Sequence, residues 1–302
     1  MKDNARILGF DIGGTNIRFG MVDEGGKLEH FVMKKSAEVF GKDPVQSLAE
    51  QIHEYIDHHQ DYRIESIVAG FPSTIDRERK IVLSTPNIAG LDNVSLVDGL
   101  GKYFAQPVFL EKDVNLIFEY DMFEKNFDKQ KIVLGFYIGT GFGNAIQIGG
   151  SLLVGKNGVA GELGHTVVLG DDKLCSCGNR GCMEGYASGK YLQEIHKNFF
   201  PDIAIDDIFT LKSEDEKIIG FIENLSAPIA SEINIFDPDH IILGGGVLAM
   251  KNFPKALLEK FVLKHTRKPY PHDTLSFNYS QANQQSGVIG AGIYGYKQLG
   301  RL

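Results

Sequence analysis

All three cysteines of this 302-residue chain lie within eight residues, at Cys175, Cys177 and Cys182, with His165 ten positions upstream. One imidazole and three thiolates make a complete tetrahedral donor set for Zn²⁺. They leave no coordination position for a catalytic water, so the metal chemistry predicted here is structural. Glycines at 178 and 181 turn the loop between the ligands. The competing assignment, three core cysteines with a satisfied core histidine, suits scattered cysteines better than a Cys-x-Cys pair. Two carboxylates, Glu162 and Glu184, flank the ligands in GELGHTVVLGDDKLCSCGNRGCMEG (161–185). A metal knot drawing both toward one place suggests a binding site on its rim.

Other residues could carry phosphate and sugar chemistry. Asp11 precedes Gly13, Gly14 and Thr15; a carboxylate there repels a phosphate unless a divalent cation such as Mg²⁺ stands between them. A turn aspartate bonding its own backbone fits equally well. Asp113 stands where a strand gives way to a helix, and ligands of open α/β sheets bind at strand C-termini. It could take the proton of an attacking hydroxyl, an effect of about 10²–10⁴-fold, or simply cap the helix. Glu162, Glu184, Asn87 and Asp113 are acceptors suited to a ring of hydroxyls, although Asn87 after a proline also reads as a plain turn residue and either glutamate as a surface one. The glycines at 244–246 allow a backbone to approach a flat group such as adenine, or a tight turn.

These residues need a frame. Residues 6–22 (RILGFDIGGTNIRFGMV) and 132–148 (IVLGFYIGTGFGNAIQI) echo each other, each an apolar strand, a glycine turn and a second apolar strand. Because GTGFG runs into strand-like NAIQIGG and not a helix, a dinucleotide-binding or P-loop assignment fails. Two hairpin turns could instead cradle phosphate through backbone amides. Asp43-Pro44 predicts a helix start, with Val45, Leu48, Ile52 and Ile56 on its apolar face. Strands are expected at 66–71, 107–113 and 240–247, and helices at 114–127, about 215–236, and 286–299. Two α/β halves follow: a smaller domain of 1–113 plus 286–302, and a larger one of 114–285 carrying the cysteine loop, with a hinge after residue 113.

Composition narrows the class. The chain is 43% hydrophobic and 23% charged, with net charge −8, which suits a soluble globular protein and opposes a nucleic-acid surface. No apolar run approaches a membrane span or a signal core. Clustered, odd-numbered cysteines fit a reducing, cytoplasmic setting.

The motifs DIGGT (11–15), PSTID (72–76), TPN (85–87), DVN (113–115), GTGFG (139–143), GVAGELGH (158–165), CSCGNRGCME (175–184) and LGGGV (243–247) resemble the ROK family of sugar kinases and repressors along nearly the whole chain. The resemblance implies a two-domain actin-like ATPase, ribonuclease-H-like fold of hexokinase type, with a cleft between the domains. It implies ATP-dependent phosphorylation of the primary 6-hydroxyl of an aldohexose. Asp113 would be the general base, with Asn87, Glu162, His165 and Glu184 as further sugar contacts. ATP would be held by Gly9, Asp11, Gly13, Gly14, Thr15, Asn16, Gly139, Thr140, Gly141, Gly143 and Gly245, with Mg²⁺. Structural Zn²⁺ would sit on His165, Cys175, Cys177 and Cys182, the second ring nitrogen of His165 facing a sugar hydroxyl. GFPSTIDRERKIVLSTPN, KDVN, NIFDPDHIILGGGV and RKPYPH (267–272) are most similar to the allose-phosphorylating members. Most members carry Asn before the catalytic Asp, where this chain has Lys112, which argues against plain glucose specificity; Lys112 could also point away. Glucokinase, N-acetylmannosamine kinase or fructokinase activity is the alternative within the family. A sugar-sensing regulator is disfavoured, since only ten residues precede Asp11. The expected partners are the hexose, ATP and a second copy of the chain, with neither nucleic acid nor membrane.

Overall fold

The computed structural model describes residues 4–85 and 88–302. The chain forms two compact units, one of Met1–Phe127, Val154–Ala160 and Ala282–Leu302, the other of Asp128–Leu153 and Gly161–Gln281. Among the described residues no helix is long and apolar enough to cross a membrane.

In the first unit the chain runs β1 (Ala5–Ile12), β2 (Asn16–Val22), β3 (Leu28–Lys35), α1 (Ser36–Val39), α2 (Pro44–Asp57) and β4 (Arg63–Phe71). It continues through β5 (Thr74–Ile75), β6 (Ile81–Ser84), β7 (Val94–Ser95), α3 (Leu96–Leu100), β8 (Val108–Lys112) and α4 (Asp113–Lys125). The main sheet has the order β3-β2-β1-β4-β8, and β5-β6-β7 make a small second sheet. β1 pairs antiparallel with β2 and parallel with β4, which pairs parallel with β8. Period-two alternation in β1 sends Leu8, Phe10 and Ile12 into the core shared with α2 and α3, while Ile7 joins Leu116 and Ala291 on the other face. α2 starts as predicted: the Asp43 carboxylate accepts from the Gln46 amide at 3.0 Å, with Pro44 in the first turn.

The second unit holds β9 (Val133–Ile138), β10 (Phe142–Ile148), β11 (Ser151–Leu152), α5 (Gly189–Phe199), α6 (Ile208–Leu211) and α7 (Glu216–Phe236). After them come β12 (His240–Gly244), α8 (Lys255–His265) and β13 (Phe277–Tyr279), before α9 (Ser286–Gln298) rejoins the first unit. Its sheet has the order β11-β10-β9-β12-β13. β9 is antiparallel to β10 and parallel to β12, repeating the pattern around β1. The sequence echo is therefore repeated in topology. α7 begins where the Asp215 carboxylate accepts from Lys217, and it ends at Asp237 in the left-handed region before Pro238.

A division after residue 113 does not match these units, because α4 stays with the first. Its sides are almost wholly buried, Leu116 and Phe118 completely. α9 lies so close that a Cβ on Gly290 would sit 1.8 Å from the Leu116 carbonyl oxygen. The segment 154–160 also returns to the first unit: a Cβ on Gly158 would stand 2.2 Å from the Ile75 carbonyl oxygen.

Candidate active site

In the first unit, Asp11 ends the buried run of β1 and Asp113 opens α4 directly after β8. Both lie at the C-terminal ends of parallel strands. Asp113 is the first helical residue and Lys112 the N-cap, without a side-chain cap bond; the capping role considered for Asp113 does not apply. Its Oδ1 accepts from the Val114 amide at 2.7 Å. A carboxylate in the first helical turn is favoured in its ionised form by the helix dipole, the form a proton acceptor needs. Burial, then the neighbouring Asp113 charge, push the Asp11 carboxyl up to about 6, and Arg18 opposes them. Arg18 stands directly across from Asp11 on β2 and holds its Oδ2 at 3.3 Å. A carboxyl raised by burial and by a neighbouring carboxylate suits a divalent cation, and Mg²⁺ on Asp11 would relieve the repulsion. Gly287 at the start of α9 leaves room for them, since a Cβ there would meet the Asp11 Cγ at 2.9 Å.

The turn 13–15 is held from behind. The Ser36 hydroxyl donates to the Gly13 carbonyl at 2.6 Å and the Ser36 amide to the Thr15 carbonyl at 3.0 Å. Gly14 and Thr15 are exposed, and Asn16 accepts from Lys35 through Oδ1 at 3.0 Å. Gly9 is buried beneath α9, and a Cβ there would stand 2.7 Å from the Val288 carbonyl oxygen, so its missing side chain serves helix packing.

In the second unit, the turn between β9 and β10 meets the N-terminus of α5. Gly189 donates to the Gly139 carbonyl at 2.8 Å and Lys190 to the Thr140 carbonyl at 3.0 Å. Gly245, at φ +95°, packs on the end of β9 with room for no Cβ: one would lie 2.4 Å from the Ile138 carbonyl oxygen. The close approach read from its sequence is thus to the protein's own backbone. Gly143 lies in β10 opposite Tyr137. Glu184 is drawn to the same turn: its Oε2 accepts from the Phe142 amide at 2.9 Å and lies where a Cβ on Gly141 would stand, so a side chain there would displace the carboxylate.

The cysteine loop converges as its spacing predicts. One donor atom from each of His165, Cys175, Cys177 and Cys182 lies within 4.8 Å of the others. The Cys177 and Cys182 sulfurs are 3.6 Å apart, and Cys175 Sγ lies 3.6 Å from His165 Nδ1. Zinc–sulfur bonds of about 2.3 Å in a tetrahedron require separations near these. Burial pushes the Cys182 thiol up to about 12. At Cys175 burial acts the same way, but hydrogen bonds from Cys177, Cys182 and His165 outweigh it and bring that thiol down to about 7. Three thiols competing for one negative charge fit a divalent soft metal, which would ionise them all. The other ring nitrogen of His165, Nε2, faces Glu162, whose Oε2 lies 3.7 Å away, beyond hydrogen-bond distance. Asn87 lies outside the described residues.

Sequence reasoning missed Arg18, Ser36 and the α5 amides. Arg18 was within reach, because in a tight hairpin the residue opposite Asp11 follows from counting across the turn. Ser36 and Gly189 reach their turns only through the tertiary fold.

A sequence model of the ROK family matches residues 7–296. Glucokinase of Thermotoga maritima is 32% identical over 266 residues, covering 80% of this chain and 82% of the relative. N-acetyl-D-glucosamine kinase of Vibrio cholerae is 30% identical over 259 residues, covering 79% of this chain and 83% of that one. Among solved structures, the ROK hexokinase from Thermus thermophilus matches with a TM-score of 0.80 at 26% identity, over 98% of this chain and 99% of that chain. The two α/β units with their paired hairpins are thus a hexokinase-type fold, and the chain belongs to the ROK family.

Proposed function

We propose that this chain is an ATP-dependent kinase that phosphorylates the primary hydroxyl of an aldohexose, D-allose foremost. The observation that carries the reading is Asp11 and Asp113 at the same end of one sheet, on β1 and just after β8 on either side of β4, close enough for the Asp113 charge to act on Asp11, in a chain related to sugar kinases. Asp113 accepts the proton of the 6-hydroxyl while that oxygen bonds to the γ-phosphorus and the bond to the β–γ bridging oxygen breaks, releasing ADP. Asp11 would hold Mg²⁺, which supplies charge neutralisation on the phosphates. The turns 13–16 and 139–143 contribute backbone donors to the nucleotide. Glu162, His165 and Glu184, with Asn87, are the further sugar contacts, and zinc on His165, Cys175, Cys177 and Cys182 keeps their loop in shape. The active form is a homodimer.

The named relatives act on glucose and N-acetyl-D-glucosamine. Preference for an epimer rests on Lys112, a buried cation immediately before Asp113. Asp113→Asn should lower sugar-dependent ATP turnover by at least about 10³-fold and leave sugar binding measurable by calorimetry; full turnover would remove Asp113 from the base role. A coupled assay across allose, glucose, mannose, N-acetylmannosamine, N-acetylglucosamine and fructose tests the substrate. A kcat/KM for allose at or below that for glucose would discard allose and leave the kinase assignment standing.

A further inference from the structure

Glu111, two residues before Asp113, is 2% exposed and sits at the centre of a hydrogen-bonded hub inside the first unit. Arg79 holds it with two nitrogens, Nε to Oε2 at 3.1 Å and a terminal nitrogen to Oε1 at 3.1 Å. Oε1 also accepts from the Lys112 amide at 2.8 Å and from Asn115 Nδ2 at 2.9 Å. Lys112 is the N-cap of α4 and Asn115 lies in its first turn, so the hub brackets Asp113 from both sides.

Arg79 has a third commitment. Its remaining guanidinium nitrogen donates to the Gly158 carbonyl at 3.1 Å. Gly158 belongs to the short return segment Val154–Ala160, which leads four residues on to Glu162. The Arg79 side chain is only 11% exposed. Arg79 also adopts φ 56°, a left-handed backbone that a long side chain rarely takes and that persists when its contacts over-determine it. A planar, always-charged fork satisfies three acceptors at once, which Lys cannot reproduce.

We propose that Arg79 and Glu111 are a positioning pair for phosphoryl transfer. The pair fixes the first turn of α4, hence the Asp113 carboxylate, and ties it to the segment entering the sugar-contact loop. This rests on the reading of Asp113 as the base. A merely structural ion pair and a positioning pair differ in one respect. Replacing both partners of a buried pair by apolar groups of similar volume is often neutral for stability, but it cannot restore the bonds to Gly158, Lys112 and Asn115.

The test uses the full-length enzyme with its optimal sugar. Arg79→Met should lower kcat at least about tenfold, with the KM for ATP within twofold of wild type, and should destabilise the protein. The double variant Arg79→Met, Glu111→Leu should recover the wild-type melting temperature within a few degrees while kcat stays at least tenfold down. Recovery of kcat together with stability would make the pair structural only and overturn the proposal. Arg79→Lys, which keeps the charge and the fold, should lose about threefold to tenfold in kcat; unchanged turnover in it would overturn the proposal even where the other variants fail to fold. Asp113→Asn assayed beside them separates the two readings. If it retains turnover, the base assignment falls; if it is inactive while every Arg79 variant is normal, only the positioning pair falls.

Discussion

Glu232 brings a carboxyl into the packed interior of the second unit, with no cation among the described residues paired to it. It is 3% exposed on α7, and its Oε2 accepts from Asn144 Nδ2 at 3.0 Å, while Asn144 Oδ1 is buried without a hydrogen-bond partner. Burial pushes the Glu232 carboxyl up to about 8, against an ordinary value of 4.5, and the Asn144 bond only partly opposes it. The folded state therefore binds this proton more tightly than the unfolded chain between those limits. The stability it contributes is complete below the unfolded value and is lost as pH rises through about 8. Glu232→Gln keeps the shape and removes the titration. Between pH 6 and 8 the wild type should lose roughly 1 kcal/mol per pH unit relative to the variant in urea melts; parallel stability curves would show that Glu232 folds ionised. Residues such as these mark the limit of what the sequence discloses. Asp11, Asp113 and the histidine–cysteine cluster announce themselves through short-range spacing. Glu232, Arg79 and Glu111 read as ordinary surface charges until elements distant in sequence close over them.

The hairpins were the most legible elements, because an apolar strand, a glycine turn and a second strand within seventeen residues leave few alternatives. The helix start at Asp43-Pro44 was equally direct, since cap chemistry is local. The cysteine loop was legible as a ligand set but not as a shape. Between Glu162 and Gly185 it contains two single turns of 3₁₀ helix and two isolated bridges, Val167 with Cys182 and Leu174 with Arg180. Its apolar residues Val167, Leu169 and Leu174 are exposed, Leu169 at 94%. A segment that buries so little must be held by its ligands and its backbone bonds. Chelation, or Cys177→Ser, should therefore loosen this loop without unfolding the unit around it, whose core of β9, β10 and α7 receives Leu163 and Met183 from the two ends of the loop and none of the exposed residues between them. Zinc should fall from about one per chain, limited proteolysis should cut between residues 166 and 182, and sugar KM should rise at least tenfold with ATP KM within twofold. A metal-free preparation with unchanged sugar KM and no new cleavage would deny the metal its role.

At the scale of the molecule, the first unit is completed only by the last helix of the chain. α9 fits because its small residues admit close neighbours: Gly290 against the Leu116 backbone, Gly292 against Val22, Gly295 against Ile7 and Gly287 against Asp11. Val288, Ala291, Ile293 and Tyr296 fill the space between these contacts and are at most 1% exposed. The glycines of this helix suit close packing, but do not disclose that its partner is α4, whose own sequence shows no single apolar face because neighbours bury it on most sides. That is why a boundary drawn after residue 113 misplaced α4. Gly290→Ala tests the arrangement, since the added methyl would stand 1.8 Å from a main-chain oxygen that cannot rotate away. Overpacking of this kind costs about 1–3 kcal/mol, and a rigid backbone obstacle places it toward the upper end. Hydrogen exchange on the variant should show faster amides in β1, β4, α4 and α9, with those of β9, β12 and α7 unchanged. Equal acceleration in both groups would mean that the two units open as one cooperative body, and the division after Phe127 would then have no energetic meaning.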